Sequence, residues 1–417
     1  MPTRRSFLLS SAATAAALPL AAHAQTSSTP APITALKNRS HEAVPITLAE
    51  RQHRVDRARE LMARQKIAAL VMTGGTSLVY FTGIRSGVSE RIFAWVLPVT
   101  GEPYIVCPAF EEARMTEQLS QMPEGSRTRI YTWNEDEDPY ALLVQHLPVA
   151  GPVALDERVP FFYADRIAQA ASGRKIVSGI PITAGCRAIK SPAELAIMQL
   201  ANNITLSVYK AAYQSGAPGM TTAEFTALVT AGFARCGVRG DISCQTGEWS
   251  ALPHGSIKPQ IIRENQIVLI DDGCVLEGYV SDISRTFVYG TPTDRQKKVF
   301  EVVHKAQAAA LAAAQLGAPC HAVDDAARKV VTDAGFGPDY KTFLHRLGHG
   351  IGMDGHEWPY LVRGNNQLLE AGMCFSDEPG IYLPGEFGVR LEDDWHMTES
   401  GGVMFTPTSS SLEHPFE

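Results

Sequence analysis

The chain has 417 residues, which is long enough for two domains with separate hydrophobic cores. Hydrophobic residues make up 45% and charged residues 19%, and no residue type dominates, so the composition is that of a soluble globular protein. The formal net charge of -7 argues against nucleic acid or an anionic membrane as a partner.

Residues 1–24 have the features of an export signal. Arg4 and Arg5 precede a short run rich in Ala, Ser and Leu, and Ala22-His23-Ala24 forms a small-residue cleavage site. The paired arginines resemble a twin-arginine signal, so we expect a periplasmic or otherwise exported protein. The apolar run is too short for a membrane anchor and no later segment reaches spanning length, so we expect no membrane span in the mature chain.

The next part of the chain alternates predicted helices and strands. A Ser-, Thr- and Pro-rich lead-in at 25–46 is expected to be loose, and Thr47-Leu-Ala-Glu50 is a capping box that predicts a helix to about residue 65. Further elements are predicted as strands at 67–73, 77–82, 91–98, 103–108 and near 152–156, and as helices ending at 147 and spanning 160–172. This pattern predicts a small α/β domain over residues 47–186.

A second unit, predicted over residues 187–417, contains helices and then strands, twice. Capping boxes at Ser191-Pro192-Ala193-Glu194 and Thr221-Thr-Ala-Glu224 open helices to about 214 and 235. Strands follow to 290, helices cover 293–316 and 321–334, and strands return to 405. The repeated order predicts an α+β fold with an internal pseudo-repeat.

Four carboxylates and one imidazole of the second unit stand in apolar or glycine-rich sequence. They are Asp271, Asp282, His349, Glu378 and Glu392. Isolated acids are costly to bury unless a cation or a proton compensates their charge. We therefore predict that these five residues form one metal site.

Hairpin symmetry supports this grouping. A hairpin centred between residues 276 and 277 would place Asp271 directly opposite Asp282, where like charges call for a bridging cation. A second hairpin that turns at Pro384-Gly385 would place Glu378 opposite Glu392. Asp272 competes with Asp271, because alternation sends the two to opposite faces of the strand. Hairpin symmetry favours Asp271 as the ligand, with Asp272 as a hydrogen-bonding neighbour.

Three histidines lie within twelve residues, at His345, His349 and His356, among four glycines that bring backbone close and leave room for a ligand. This cluster indicates a site rather than isolated core histidines.

Five motifs together resemble those of the creatinase/aminopeptidase P/prolidase family of pita-bread metallopeptidases. They are Ile270-Asp271-Asp272-Gly273, Ser281-Asp282-Ile-Ser-Arg-Thr-Phe, Gly348-His349-Gly-Ile-Gly, Asp377-Glu378-Pro-Gly-Ile-Tyr and Val389-Arg-Leu-Glu392-Asp. The resemblance is strong over 190–405 and implies a C-terminal pita-bread domain preceded by a smaller creatinase-type domain.

The resemblance also implies a dinuclear metal centre. Asp271 would chelate one metal, Asp282 and Glu392 would bridge both, and His349 and Glu378 would complete the second. Four oxygen ligands and one nitrogen favour Mn²⁺, with Co²⁺ or Zn²⁺ as alternatives.

By the same resemblance, the reaction is hydrolysis of the Xaa-Pro peptide bond by a hydroxide that the two metals share. The implied roles of the other residues are proton transfer by Glu378, substrate contact by His254, a hydrogen bond from His356 to the scissile carbonyl, a proline pocket at His345, and support of pocket and ligand strand by Tyr382 and Arg390.

The substrate is then a proline-containing peptide or dipeptide, and the family likeness leads us to expect a homodimer. A dipeptidase must recognise a free carboxylate, for which Arg85 and Arg91 of the small domain are candidates. The alternative is a hydrolase or lyase of a small C–N or osmolyte substrate on the same fold. The three matching histidines favour the peptidase.

Overall fold

The computed structural model describes residues 29–417, so the predicted export signal lies outside the described residues. Within this range, no helix is both long and apolar enough to cross a bilayer. The sequence predicts a loose lead-in, and this prediction is wrong for the part that the structure describes. That part contains helix α1 (Ala31–Ala35), and Ile33 and Ile46 are buried in the core of the C-terminal unit. Two buried isoleucines explain why this polar-looking segment is held in place.

The N-terminal unit is an α/β domain built around one six-stranded sheet. Its helices and strands are α2 (Leu48–Gln65), β1 (Ala69–Met72), α3 (Gly75–Thr82), β2 (Ala94–Pro98), β3 (Tyr104–Pro108), α4 (Glu112–Leu119), β4 (Arg129–Trp133), α5 (Pro139–Gln145), β5 (Val153–Leu155), α6 (Phe161–Ala170), β6 (Ile176–Ser178) and α7 (Ile180–Arg187). The strand order is β4-β3-β2-β1-β5-β6. Strand β2 runs antiparallel to β1 and β3, and the other pairs are parallel.

One predicted element of this unit is wrong. Residues 77–82 form most of helix α3 instead of a strand. Five of the eight residues of α3 are buried, so the segment lacks the polar face that would show a helical period, and a short apolar run fits a strand equally well. Gly83, with a φ of 79°, ends the helix in the left-handed conformation that glycine adopts without strain.

The C-terminal unit repeats helices and strands twice, as predicted. Its elements are α8 (Pro192–Ser215), α9 (Thr222–Cys236), β7 (Arg239–Thr246), β8 (Ile267–Leu276), β9 (Tyr279–Val280), β10 (Arg285–Val288), α10 (Asp294–Ala313), α11 (Cys320–Asp333), β11 (Gly348–Gly350), β12 (Glu357–Leu361), β13 (Cys374–Asp377), β14 (Gly380–Leu383), β15 (Phe387–Arg390), β16 (Asp393–Thr398) and β17 (Gly401–Met404). Both predicted capping boxes form, at Ser191 and at Thr221.

Each half of the repeat has its own core. Helices α8 and α9 pack on the antiparallel strands β7, β8 and β10, and helices α10 and α11 pack on the sheet β12-β11-β13-β16-β17. The candidate ligands lie on strands of both halves, so the two helical layers cover the outside and leave the strands to form the site between them.

The second predicted hairpin is confirmed. Strands β14 and β15 pair Gly380 with Arg390, and the same register continues between β13 and β16. Glu378 and Glu392 therefore lie opposite each other.

The register predicted for the first hairpin is wrong by two residues. Leu276 pairs with Tyr279, so the turn is Glu277-Gly278, whose φ values of 49° and 90° suit a tight hairpin turn. Asp271 consequently lies opposite Ser284, and Asp282 lies diagonal to it on the same face.

Candidate metal and active site

The five predicted metal ligands line one cavity of about 460 Å³ in the C-terminal unit. Asp271 lies in β8, Asp282 follows β9, and His349 is the middle residue of β11. Glu378 directly follows β13, and Glu392 stands between β15 and β16. The other lining residues are Pro253, His254, Asp272, His345, Arg346, His356 and Arg390.

Ligand-type atoms converge in this cavity. One atom each from Asp282, His349 and Glu392 lie within 4.8 Å of one another. The Nε2 atom of His349 is 3.4 Å from Glu378 Oε1 and 3.9 Å from Asp282 Oδ2. Asp271 joins the group through Ser284, whose hydroxyl oxygen is within hydrogen-bond distance of Asp271 Oδ1 and, at 2.8 Å, of Glu392 Oε2, so that its one hydrogen serves one carboxylate at a time.

A buried arginine compensates one side of this group. The guanidinium of Arg390 donates to Asp271 and, over 2.9 Å each, to Ser284 and the hydroxyl of Tyr382. Burial opposes ionisation of Asp271, but Arg390 and Ser284 outweigh it and hold the pKa of Asp271 below its ordinary value. The burial of Tyr382 raises the pKa of its hydroxyl to about 12.

The other three carboxylates are compensated less, since Arg390 lies 3.9 Å from Glu392 Oε2 and does not outweigh the burial of any of the three. Burial, followed by the charges of neighbouring acids, raises the pKa of Asp282 and of Glu392 well above the ordinary values. Burial likewise raises the pKa of Glu378 to about 8, and Arg390 offsets only part of it. Burial and the neighbouring His356 lower the pKa of His349 to about 3, so its imidazole is neutral. A neutral imidazole among buried, under-compensated carboxylates is a donor set that fits divalent cations.

Two further predicted histidines stand at the edge of the ligand group. The Nε2 atom of His345 is 2.8 Å from the hydroxyl of Tyr382, and its Nδ1 atom is 3.7 Å from Glu378 Oε2. The ring of His356 stacks on that of His349 with centroids 3.9 Å apart. His254 lines the same cavity with an exposed side chain.

Arg85 does not lie in this cavity. With Arg91 and Arg114 it lines a separate cavity of about 310 Å³ in the N-terminal unit. The structure therefore brings together every predicted site residue except the two carboxylate-binding candidates, Arg85 and Arg91.

Three residues of the site were not predicted from the sequence. Ser284 stands two residues after Asp282, so strand alternation could have placed it on the same face. Asp394 accepts a hydrogen bond of 2.9 Å from the amide of Asp282 and gave no sequence signal. Arg346 lines the cavity, and its Nη2 atom is 3.2 Å from His356 Nδ1.

Asp272 is a hydrogen-bonding neighbour, because its carboxylate accepts from the amide of Ser243 over 3.0 Å.

Comparison with known proteins identifies the class to which this fold and site belong. Residues 196–399 match the model of metallopeptidase family M24, and residues 54–189 match the creatinase/prolidase N-terminal domain. The chain belongs to this family of hydrolases, which confirms the resemblance seen in the sequence.

Individual relatives extend over nearly the whole chain. The Xaa-Pro dipeptidase of Lactobacillus delbrueckii subsp. lactis is 33% identical over 86% of this chain and 98% of its own length. The crystal structure of dipeptidase PepE from Mycobacterium ulcerans is 32% identical and superposes with a TM-score of 0.83 over 89% of this chain and 99% of that one. A prolidase structure from Thermococcus sibiricus, 28% identical, has a TM-score of 0.75 over 85% of this chain and 96% of that one.

Proposed function

We propose that this protein hydrolyses the peptide bond before proline in dipeptides, with two divalent metal ions held by Asp271, Asp282, His349, Glu378 and Glu392. One observation carries the proposal: five ligand-type residues, three further histidines and an arginine that forms no ion pair with a carboxylate of residues 29–417 line one cavity. The names of two similar proteins, an Xaa-Pro dipeptidase and a dipeptidase, support the substrate class. We favour Mn²⁺ because four of the five ligands are hard oxygen donors.

Metal ions bound there would lower the pKa of a water molecule and so supply a nucleophile at neutral pH. The protein side chains then have separate tasks. Glu378 accepts the proton of the attacking water at a carboxylate oxygen and delivers it to the proline nitrogen as that nitrogen leaves. His356 donates a hydrogen bond to the scissile carbonyl oxygen as negative charge develops on it.

The proline ring is assigned to the side of the cavity lined by His345, whose ring is held by the buried Tyr382. Their hydrogen bond of 2.8 Å fixes both rings, and Arg390 holds the Tyr382 hydroxyl from the other side. A Xaa-Pro amide carries no N–H, so a pocket shaped for the ring, rather than a hydrogen-bond acceptor, must select it.

Arg346 is our candidate for the group that binds the free carboxylate of the dipeptide. Its guanidinium lies over the ring of Tyr360, 3.9 Å from the centroid, which fixes its position at the cavity wall. Within residues 29–417, Arg346 forms no ion pair with a carboxylate, whereas the other arginine of the cavity, Arg390, is paired with Asp271. A guanidinium fork suits a carboxylate, and binding one restricts the site to short substrates.

The test compares Ala-Pro, Ala-Pro amide, Ala-Pro-Ala and a bradykinin-like peptide, with creatine as a control, in metal-stripped and Mn²⁺-restored protein. We expect Ala-Pro to be hydrolysed only with metal, and the amide and longer peptides to be poor substrates. Cleavage of creatine alone would instead identify a non-peptidase hydrolase of the same fold.

Two matched variants locate carboxylate recognition. Arg346→Met should raise KM for Ala-Pro by about 10- to 100-fold, the cost of a charge-assisted hydrogen bond, and remove the preference over the amide. Arg85→Met should leave both unchanged. The reverse result would assign the carboxylate to the N-terminal unit, as first predicted from the sequence.

A further inference from the structure

Four charged residues connect the N-terminal unit to the catalytic unit, and we call them the interdomain cluster: Arg187, Lys190, Asp354 and Glu357. Arg187 is the last residue of α7, and its Nη2 atom donates to Asp354 Oδ2 and to Glu357 Oε1, both at 2.5 Å. Lys190 Nζ donates to Glu357 Oε2 over 3.1 Å. The side chains of Arg187 and Glu357 are only 6% and 4% exposed, so water can contribute little to this pairing.

The cluster holds the turn between β11 and β12, residues 351–356, which we call the His356 turn. Glu357 Oε1 accepts hydrogen bonds from the amides of Met353 and Asp354, at 2.9 and 3.1 Å. The same carboxylate therefore binds the N-terminal unit on one side and the backbone of the turn on the other. Thr76 of α3 reinforces the link by donating to Asp354 Oδ1 over 2.6 Å.

The turn also packs tightly against the cluster. A Cβ atom at Gly352 would lie 2.8 Å from Glu357 Oε2 and 2.9 Å from the side chain of Lys190, which leaves no room for one. A shift of the cluster would therefore move the backbone of the turn.

His356 itself has open space on two sides. It lines the catalytic cavity and also a second cavity of about 220 Å³ at the domain junction, which Arg187 and Glu357 line too. Its ring is packed on His349 but is not enclosed, so the position of the imidazole depends on the backbone of the turn that carries it.

We propose that Arg187 is a positioning residue: through Glu357 and Asp354 it holds the His356 turn so that His356 can donate to the scissile carbonyl. The N-terminal unit thus takes part in catalysis of its own chain without touching the substrate. This inference rests on the proposed Xaa-Pro hydrolysis. A displacement of the imidazole of about 1 Å is enough to cost up to about 100-fold in rate.

The experiment is a double-mutant cycle on Ala-Pro hydrolysis with Arg187→Met, His356→Ala and the double variant, all loaded with Mn²⁺. Arg187→Met should lower kcat about 10- to 100-fold, with KM and bound metal close to those of the unmodified protein. In the His356→Ala background, the same substitution should change kcat by less than about twofold, because the group that it positions is absent. Independent, multiplicative losses would overturn the proposal.

Arg54→Met is the matched control. Arg54 also crosses the domain junction, 3.4 Å from Glu194, and at 5% exposure it is as buried as Arg187, but its partners lie outside the His356 turn. The kcat of the Arg54→Met variant should stay near that of the unmodified protein. A loss equal to that of Arg187→Met would show that Arg187 only stabilises the domain junction in general.

If Arg187→Met does not fold, Asp354→Asn carries the same cycle, because it weakens the link without removing the buried cation. An unmodified protein that leaves Ala-Pro intact with Mn²⁺ bound would instead refute the proposed function, so the two failures are distinguishable.

Discussion

Two groups of buried carboxylates in this chain have opposite electrostatics. In the interdomain cluster, burial opposes ionisation of Glu357, but Lys190 and Arg187 outweigh it and lower its pKa to about 2. At the metal site, Asp282 and Glu392 are buried among other acids, and their pKa values are raised well above the ordinary range. The chain supplies its own cations throughout the first group, whereas in the second Arg390 compensates chiefly Asp271, which supports our proposal that metal ions bind there.

Metal removal tests this contrast with the largest expected effect. Stripping divalent metal should abolish Ala-Pro hydrolysis, a loss of more than about 10³-fold, because the activated water is lost. Restoring Mn²⁺ at 100 times its Kd should also stabilise the fold by about 2.7 kcal/mol, seen as a rise in Tm. The interdomain cluster needs no metal, so an Arg187→Met variant should show the same metal-dependent rise. Equal Tm values with and without metal would contradict the assignment.

Neutralising one carboxylate in each group should change stability in opposite directions. Glu357→Gln removes the charged partner of Lys190 and leaves Arg187 paired with Asp354, and it should destabilise the metal-free protein by about 3–5 kcal/mol. Asp282→Asn removes a buried carboxylate that has no cationic partner within residues 29–417 and should stabilise the metal-free protein by about 1–3 kcal/mol. Denaturant unfolding of both variants measures the difference, and two changes of the same sign would remove the contrast.

His356 lies between the two groups, next to Glu357 in sequence and stacked on His349 in space. His356→Ala should lower kcat by about 10²–10³-fold, the usual cost of losing one donor to a developing oxyanion, and should retain bound metal. Steady-state kinetics and metal content measure the two quantities together. A nearly normal kcat would exclude the assigned role, and His414→Ala, far along the chain near its end, serves as the control.

The smallest effect concerns pH. A carboxylate whose folded pKa is lowered contributes stability that is complete above its unfolded pKa and is lost as the pH falls towards the folded value. For Glu357 this window runs from about 4.5 down to about 2 and corresponds to about 3 kcal/mol. The free energy of unfolding of Glu357→Gln should therefore fall less steeply with acidification than that of the unmodified protein. If the two proteins lost stability in parallel as the pH falls, Arg187 and Lys190 would not be lowering the pKa of Glu357.

Local features were predicted well wherever neighbouring residues decide them. The capping boxes at Ser191 and Thr221 start helices because each side chain bonds an amide three residues away. The hairpin that pairs Glu378 with Glu392 follows from a turn at Pro384-Gly385. The first hairpin failed because a shift of the turn by one residue moves the register by two, and apolar flanks fit both registers.

The amino-acid sequence by itself determined the fold class, the five ligand-type residues and the family, because these depend on local patterns and motif spacing. Only the tertiary structure decided which charges are compensated. Arg187 and Glu357 are 170 residues apart, and Arg390 and Asp271 are 119 apart, so neither pairing leaves a local pattern. Whether a buried carboxylate binds a guanidinium of the chain or is left for a metal ion depends on which side chains the fold brings within a few ångströms, since charge interactions are strong only at such distances.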